Sequence, residues 1–360
     1  MDRIRKAEMQ TLELQRDSGL REPLTVALPD PFPLYRGGSI SGGVIAYETW
    51  GQLSPARDNA ILLFTGLSPS AHAAASDQDP TPGWWQKMIG PGCAIDTRRF
   101  FVICVNSLGS CFGSTGPASR NPAAAVRALG IQQLSAVVGA SLGGMVVTAF
   151  AALHPHGARR LISISGSPAA SPFALALRSV QREAILRDPD WQGGNYATDK
   201  PPRNGMRLAR KLGTITYRSA TEWRQRFGRE EIAGNALRAS PFAPRFAVES
   251  YLEAQAERFT RVFDPNCYLY LSRAMDRFDL AEHGGSYAAA LQSSRLEQAL
   301  VIGVESDMLF PIHEQAAVAE ALTAAGIDTR FARLPSLEGH DAFLADIPRF
   351  DAEIRAFLNH

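Results

Sequence analysis

Leu134-Ser-Ala-Val-Val-Gly-Ala-Ser-Leu-Gly-Gly-Met-Val-Val-Thr-Ala149 decides the fold. Leu134–Val138 is a short apolar run of strand type, and Met145 onward (Val146, Val147, Ala149, Phe150, Leu153) is apolar over a helix-like length. Between them stands Gly139-Ala140-Ser141-Leu142-Gly143, which reads Gly-x-Ser-x-Gly. A serine on so sharp a strand-to-helix turn has strained dihedrals, and its neighbours two before and two after crowd one another. Glycine at both places removes the Cβ atoms that would collide. The turn also points the serine oxygen outward at a helix N-terminus, where free N–H groups favour developing negative charge. The pattern alone is weak, since small residues cluster in ordinary turns. The flanking strand and helix make Ser141 a nucleophile candidate.

Working outward, Asn59–Phe64 and Phe100–Val105 are uninterrupted apolar strands of the kind buried on both faces of a sheet. They end in the polar loops Thr65-Gly66-Leu67-Ser68 and Asn106-Ser107-Leu108-Gly109. Leu161–Ile164, Ala299–Gly303 and Asp328–Arg333 repeat the pattern, with a helix expected at Glu314–Ala325. Apolar strands alternating with helices predict a mostly parallel central sheet with helices on both faces. Tyr35–Gly38 and Ile45–Trp50 read as two strands of an antiparallel opening, and the structured region is expected to begin near Pro31. Residues 1–30 read as a polar, partly helical extension without the apolar core of a secretory signal.

From Ser167 to Leu296 the rhythm breaks. Helical patterns fall at Ala174–Arg187, Met206–Leu212, Phe246–Phe259 and Tyr268–Phe278, with no convincing buried strand. A helical insertion over the sheet's C-terminal edge is where a lid belongs. The expected division is a core of 31–166 and 297–360 with a helical lid at 167–296.

Composition excludes other classes. The chain of 360 residues is 45% hydrophobic with a formal net charge of +1, so it has no electrostatic footprint for nucleic acid or an anionic membrane. No apolar run approaches a membrane span. The four cysteines show no Cys-x-x-Cys spacing and read as free thiols in a reducing cytoplasm rather than disulfides or metal ligands.

A serine nucleophile needs a base, and the chain has seven histidines. His154 and His156 end the helix after Ser141, at the wrong end of the sheet. His72, His283, His313 and His360 lie in an early loop, a later loop, a helix start and the last position. His340, between the last strand and the last helix, stands where such a sheet presents its base. The acid should follow the preceding strand, where Asp307 is the candidate and Glu305 its competitor. In this arrangement the acid fixes the imidazole, His340 takes the serine proton and Ser141 attacks an acyl carbonyl. Leu142 N–H and an N–H of Phe64 or Thr65 would form the oxyanion hole.

With these residues in place the sequence resembles the homoserine O-acetyltransferase family of the α/β-hydrolase fold, especially its serine O-succinyltransferase branch. The matching segments are Thr65–His72, Asn106–Ser119, Ser141–Met145, Gln181–Ile185, Gly205–Ser219, Val248–Leu252, Phe263–Leu271, Ser306–Pro311 and Gly339–Leu344. The resemblance places Ser141, Asp307 and His340 on the family's triad. It implies that Arg210 binds the acceptor's α-carboxylate, that Tyr217 contacts substrate and that Asp341 takes the acceptor's ammonium group, and it gives Arg182 a structural or pocket-forming role. It also implies a cytoplasmic homodimer packed through lid helices. The co-substrates are succinyl-CoA or acetyl-CoA, with L-serine or L-homoserine as acceptor and no metal or prosthetic group.

The expected reaction is succinyl transfer from succinyl-CoA to the L-serine hydroxyl, for cysteine synthesis. Transfer to L-homoserine for methionine synthesis, plain hydrolysis and a catalytically dead binding member are the competing expectations. Between Ser119 and Leu129 the chain is shorter than the family pattern, leaving only Arg120–Ala128. From Asn106 to Gln133 it still exceeds the dozen or so residues a parallel crossover needs.

Overall fold

The computed structural model describes residues 24–116, 129–197, 199–232 and 242–359. The shortened 120–128 segment and all but the last residues of the N-terminal extension lie outside them. An eight-stranded sheet organises the chain. Its strands are β1 (Leu24–Ala27), β2 (Val44–Trp50), β3 (Ala60–Phe64), β4 (Phe101–Val105), β5 (Leu134–Ala140), β6 (Ala158–Ile164), β7 (Gln298–Val304) and β8 (Asp328–Leu334). Their spatial order is β1-β2-β4-β3-β5-β6-β7-β8; β1 and β2 are antiparallel to their neighbours and the rest are parallel. Every residue of β3 and β5 is buried, which is why both read as predominantly apolar runs.

The two faces of the sheet carry separate apolar clusters. One contains Leu62, Ile103, Val137, Met145, Phe150, Leu161, Val301 and Leu322. The other contains Ile61, Leu63, Val102, Val138, Ile162, Ile302, Phe350 and Ile354. Alternate residues of the same strands thus point to opposite faces. After β5 runs α1 (Leu142–Leu153). Between β6 and β7 the described residues form α2 (Pro172–Leu186), α3 (Arg203–Tyr217), α4 (Ala220–Phe227), α5 (Ala247–Thr260), α6 (Pro265–Asp276) and α7 (Tyr287–Leu291). Then come α8 (Ile312–Ala324), α9 (Ala342–Ala345) and α10 (Ile347–Asn359).

Two expectations need correction. The sheet begins at Leu24, ahead of Pro31: β1 pairs along β2 with Thr25 opposite Ala46. It is an edge strand of four residues, Leu-Thr-Val-Ala, with mostly exposed side chains, too short for its pattern to stand out in the sequence. Tyr35–Gly38 is not a strand. It is the turn between the two-residue strands Phe32–Pro33 and Ser39–Ile40, closed where Leu34 N–H donates to Gly38 O at 3.0 Å.

Candidate active site

Ser141 stands between β5 and α1 with φ 58° and ψ −118°, a conformation that few non-glycine residues adopt. Two bonds hold it: Ser141 N–H donates to Ile164 O at 2.9 Å, and Met145 N–H donates to Ser141 O at 3.1 Å. The flanking glycines are sterically required. A Cβ on Gly139 would lie 2.1 Å from Gly143 O, and one on Gly143 would lie 2.5 Å from Phe64 O. The end of β3 therefore closes on the first turn of α1, with the Phe64 and Thr65 carbonyls toward Gly143. Leu142 is the first residue of α1, so its N–H has no partner within the helix.

His340 Nε2 lies 2.7 Å from Ser141 Oγ, and its Nδ1 lies 2.7 Å from Asp307 Oδ2. Asp307 Oδ1 accepts from the N–H groups of Leu309 and Phe310, each at 2.9 Å, which fixes the carboxylate plane. Both His340 and Asp307 are buried. Burial disfavours the imidazolium, but the charge and hydrogen bond of Asp307, with a smaller contribution from Asp341, outweigh it and raise the His340 pKa above its ordinary value. Glu305 is exposed beside Arg333, so of the two acids only Asp307 meets the imidazole. The loops carrying acid and base are tied together: Ser306 Oγ donates to Ser336 O at 2.6 Å and accepts from Gly339 N–H at 3.1 Å.

None of the other described histidines competes. His72 Nδ1 is 2.9 Å from Glu48 Oε2 and its Nε2 is 2.8 Å from Thr81 O. His154 packs on Phe150, and His313 is exposed on α8.

The helices over the sheet contribute a cationic, aromatic wall. Arg210 and Tyr217 are seven residues apart on α3, two helical turns, and share a face. The Arg210 guanidinium carbon is 4.3 Å from the Phe259 ring centre and 5.6 Å from that of Tyr217. Its Nη1 is 3.5 Å from Ser68 Oγ, while its Nε is buried without a hydrogen-bond partner. No carboxylate pairs with Arg210 among the described residues. Tyr217 carries this wall to the triad, with its ring 5.9 Å from that of His340. Burial raises the Tyr217 pKa despite the opposing Arg210 charge, so the phenol stays neutral. Asp341 is 3.6 Å from Arg218 Nε, and Arg218 also pairs with Glu338.

One cluster escaped the sequence-based reading. Arg178 and Arg182, one turn apart on α2, both clamp the buried Asp276 at 2.5 Å. Arg182 thus has a structural partner, as expected, but Arg178 and Asp276 were not anticipated. Two arginines four residues apart on one helix face were the available signal.

The sheet order, the strained serine turn and the Ser141–His340–Asp307 hydrogen bonds define a protein of the α/β-hydrolase fold with a serine nucleophile site. The family model described as alpha/beta hydrolase fold matches residues 59–345. A serine O-succinyltransferase of Stenotrophomonas maltophilia (strain K279a) is 55% identical over 356 aligned positions, covering 92% of this chain and 96% of that protein. The chain belongs to the serine O-succinyltransferase family. Among solved structures, homoserine O-acetyltransferase from Bacillus anthracis superposes with a TM-score of 0.84 at 26% identity, covering 95% of this chain and 99% of that one. Esterase E22 superposes with a TM-score of 0.83 at 27% identity, covering 94% and 99%.

Proposed function

We propose that the chain is a CoA-dependent serine O-succinyltransferase working by double displacement. In the first step His340 Nε2 removes the Ser141 proton as Oγ attacks the succinyl-CoA thioester. The oxyanion is held by Leu142 N–H and a second N–H from Phe64 or Thr65. His340 then protonates the departing CoA thiolate, leaving a succinyl ester on Ser141. In the second step the same imidazole takes the proton of the L-serine hydroxyl, which attacks the ester, and returns a proton to Ser141 Oγ. Asp307 orients the ring and stabilises its charged form throughout. Side chains, backbone N–H groups and the two substrates supply every step.

The observation that carries a transferase over a hydrolase is Arg210. A partly buried guanidinium without a carboxylate partner, linked through Tyr217 to the triad, suits an amino-acid carboxylate, which guanidinium binds as a bidentate pair. Asp341, facing Arg218, would receive the acceptor's ammonium group. Preference for serine over homoserine rests on 55% identity to a serine O-succinyltransferase against 26% to a homoserine O-acetyltransferase. We place the enzyme in the cytoplasm, in cysteine synthesis, as a homodimer packed through the helices between β6 and β7.

The test is a matrix of succinyl-CoA and acetyl-CoA against L-serine, L-homoserine and water, with thiol release and product mass as readouts. O-succinyl-L-serine as the dominant product supports the assignment. A dominant homoserine ester would transfer it to the homoserine enzymes, and dominant free succinate would make it a hydrolase.

A further inference from the structure

Cys111 and Cys267, from opposite parts of the chain, converge on one residue. Cys111 lies in the loop after β4, and Asp264 N–H donates to its Sγ at 3.5 Å. Cys267 is in the first turn of α6, where its N–H donates to Asp264 Oδ1 at 2.9 Å. A Cβ on Gly116, in the same loop as Cys111, would lie 3.9 Å from Cys267 Sγ, so the Cys267 thiol faces that loop, and both thiols are partly exposed.

We propose that Cys111 and Cys267 form an oxidisable pair whose reversible disulfide fastens α6 to the loop beside the active site. Burial is outweighed at Cys111, where the Cys267 thiol and the Asp264 N–H favour the thiolate, while Cys267 is held protonated. The other two thiols lack this combination: Cys104 is fully buried, and burial raises the Cys93 pKa.

A hydroperoxide supplies the oxidising equivalent. The Cys111 thiolate attacks one peroxide oxygen, breaking the O–O bond and giving a sulfenic acid; with hydrogen peroxide the hydroxide that leaves takes up the proton shed by the Cys111 thiol and departs as water. Cys267 then attacks the sulfenic sulfur, its proton leaves with the displaced hydroxide as a second water, and the S–S bond closes. Two thiols lose two electrons and two protons in all. The bond would act on two parts of the active region. The Cys111 loop carries Ser107, whose Oγ is 3.4 Å from Thr65 Oγ1 at the end of β3. The α6 helix carries Asp276, which holds Arg178 and Arg182 of α2. Pinning one to the other restricts opening of the helical layer, a motion that often limits turnover.

The experiment treats the full-length protein with hydrogen peroxide, maps peptides without reduction, and measures turnover before and after dithiothreitol. The expected result is a Cys111–Cys267 linked peptide, a several-fold fall in turnover, and recovery on reduction. Cys267→Ser and Cys111→Ser should each keep their turnover under the same treatment. Peptides oxidised without that link, or a link that leaves turnover unchanged, would overturn the proposal, as would equal inactivation of both variants. Only the turnover readout rests on the acyl-transfer assignment. If that assignment fails, the peptide map still tests the bond.

Discussion

Ser141, His340 and Asp307 divide one task, and their environments set the cost of removing each. Ser141→Ala should lower turnover by about 10⁶ and abolish the succinyl adduct while leaving the fold intact, since loss of a triad nucleophile removes the pathway. Asp307→Asn should cost about 10⁴ by presenting the wrong imidazole tautomer, whereas exposed Glu305→Gln should be silent in the same assay. The pH profile follows from His340. General-base catalysis needs the neutral ring, and the Asp307 and Asp341 charges raise its pKa. Activity should therefore rise with pH through a midpoint above the ordinary histidine value of about 6.5. Asp341→Asn removes one of the raising charges, so the acid limb of kcat/KM should move to lower pH; an unmoved or upward-shifted limb would show that Asp341 does not act on the imidazole. Arg210→Ala should remove a contact worth about 1.5–3 kcal/mol for the acceptor. The loss should fall on serine-dependent turnover and spare the thiol burst of the first half-reaction.

At the scale of elements, sequence legibility follows burial. β3 and β5 are buried throughout and announce themselves as apolar runs, and the Ser141 turn is legible because its steric demand is met only by glycine. Acid and base positions followed from where strands end. β1 was missed because four residues are too short a run to announce a strand, and what holds it is backbone pairing to β2. Asp276 was missed because a charge buried by tertiary packing looks like any surface charge in the sequence. Its side chain is only 4% exposed and holds Arg178 and Arg182 together. Asp276→Ala should therefore destabilise the fold by about 3–5 kcal/mol, because it leaves buried guanidinium groups unpaired. Denaturant unfolding would check this, and a change confined to kinetics would place Asp276 in substrate binding instead.

At the scale of the whole molecule, the helices between β6 and β7 cover the site and also present apolar surface outward. Phe173 and Val180 of α2 and Leu208 of α3 are 51%, 53% and 59% exposed. A dimer joined across this layer would cover them, so analytical ultracentrifugation should find a dimer that Leu208→Glu weakens. No helix among the described residues is long and apolar enough to cross a membrane. β4 and β5 flank β3, and Ser141 meets His340 at 2.7 Å. The most direct test of the central claim is partitioning of the acyl-enzyme. Succinyl-CoA is mixed with the enzyme, the Ser141 peptide is examined for one added succinyl group, and L-serine or buffer is then added. The double-displacement mechanism predicts a Ser141-linked succinyl group that L-serine discharges as O-succinyl-L-serine far faster than water releases succinate. An adduct discharged equally fast by buffer, or product formed with no succinyl on Ser141, would contradict it.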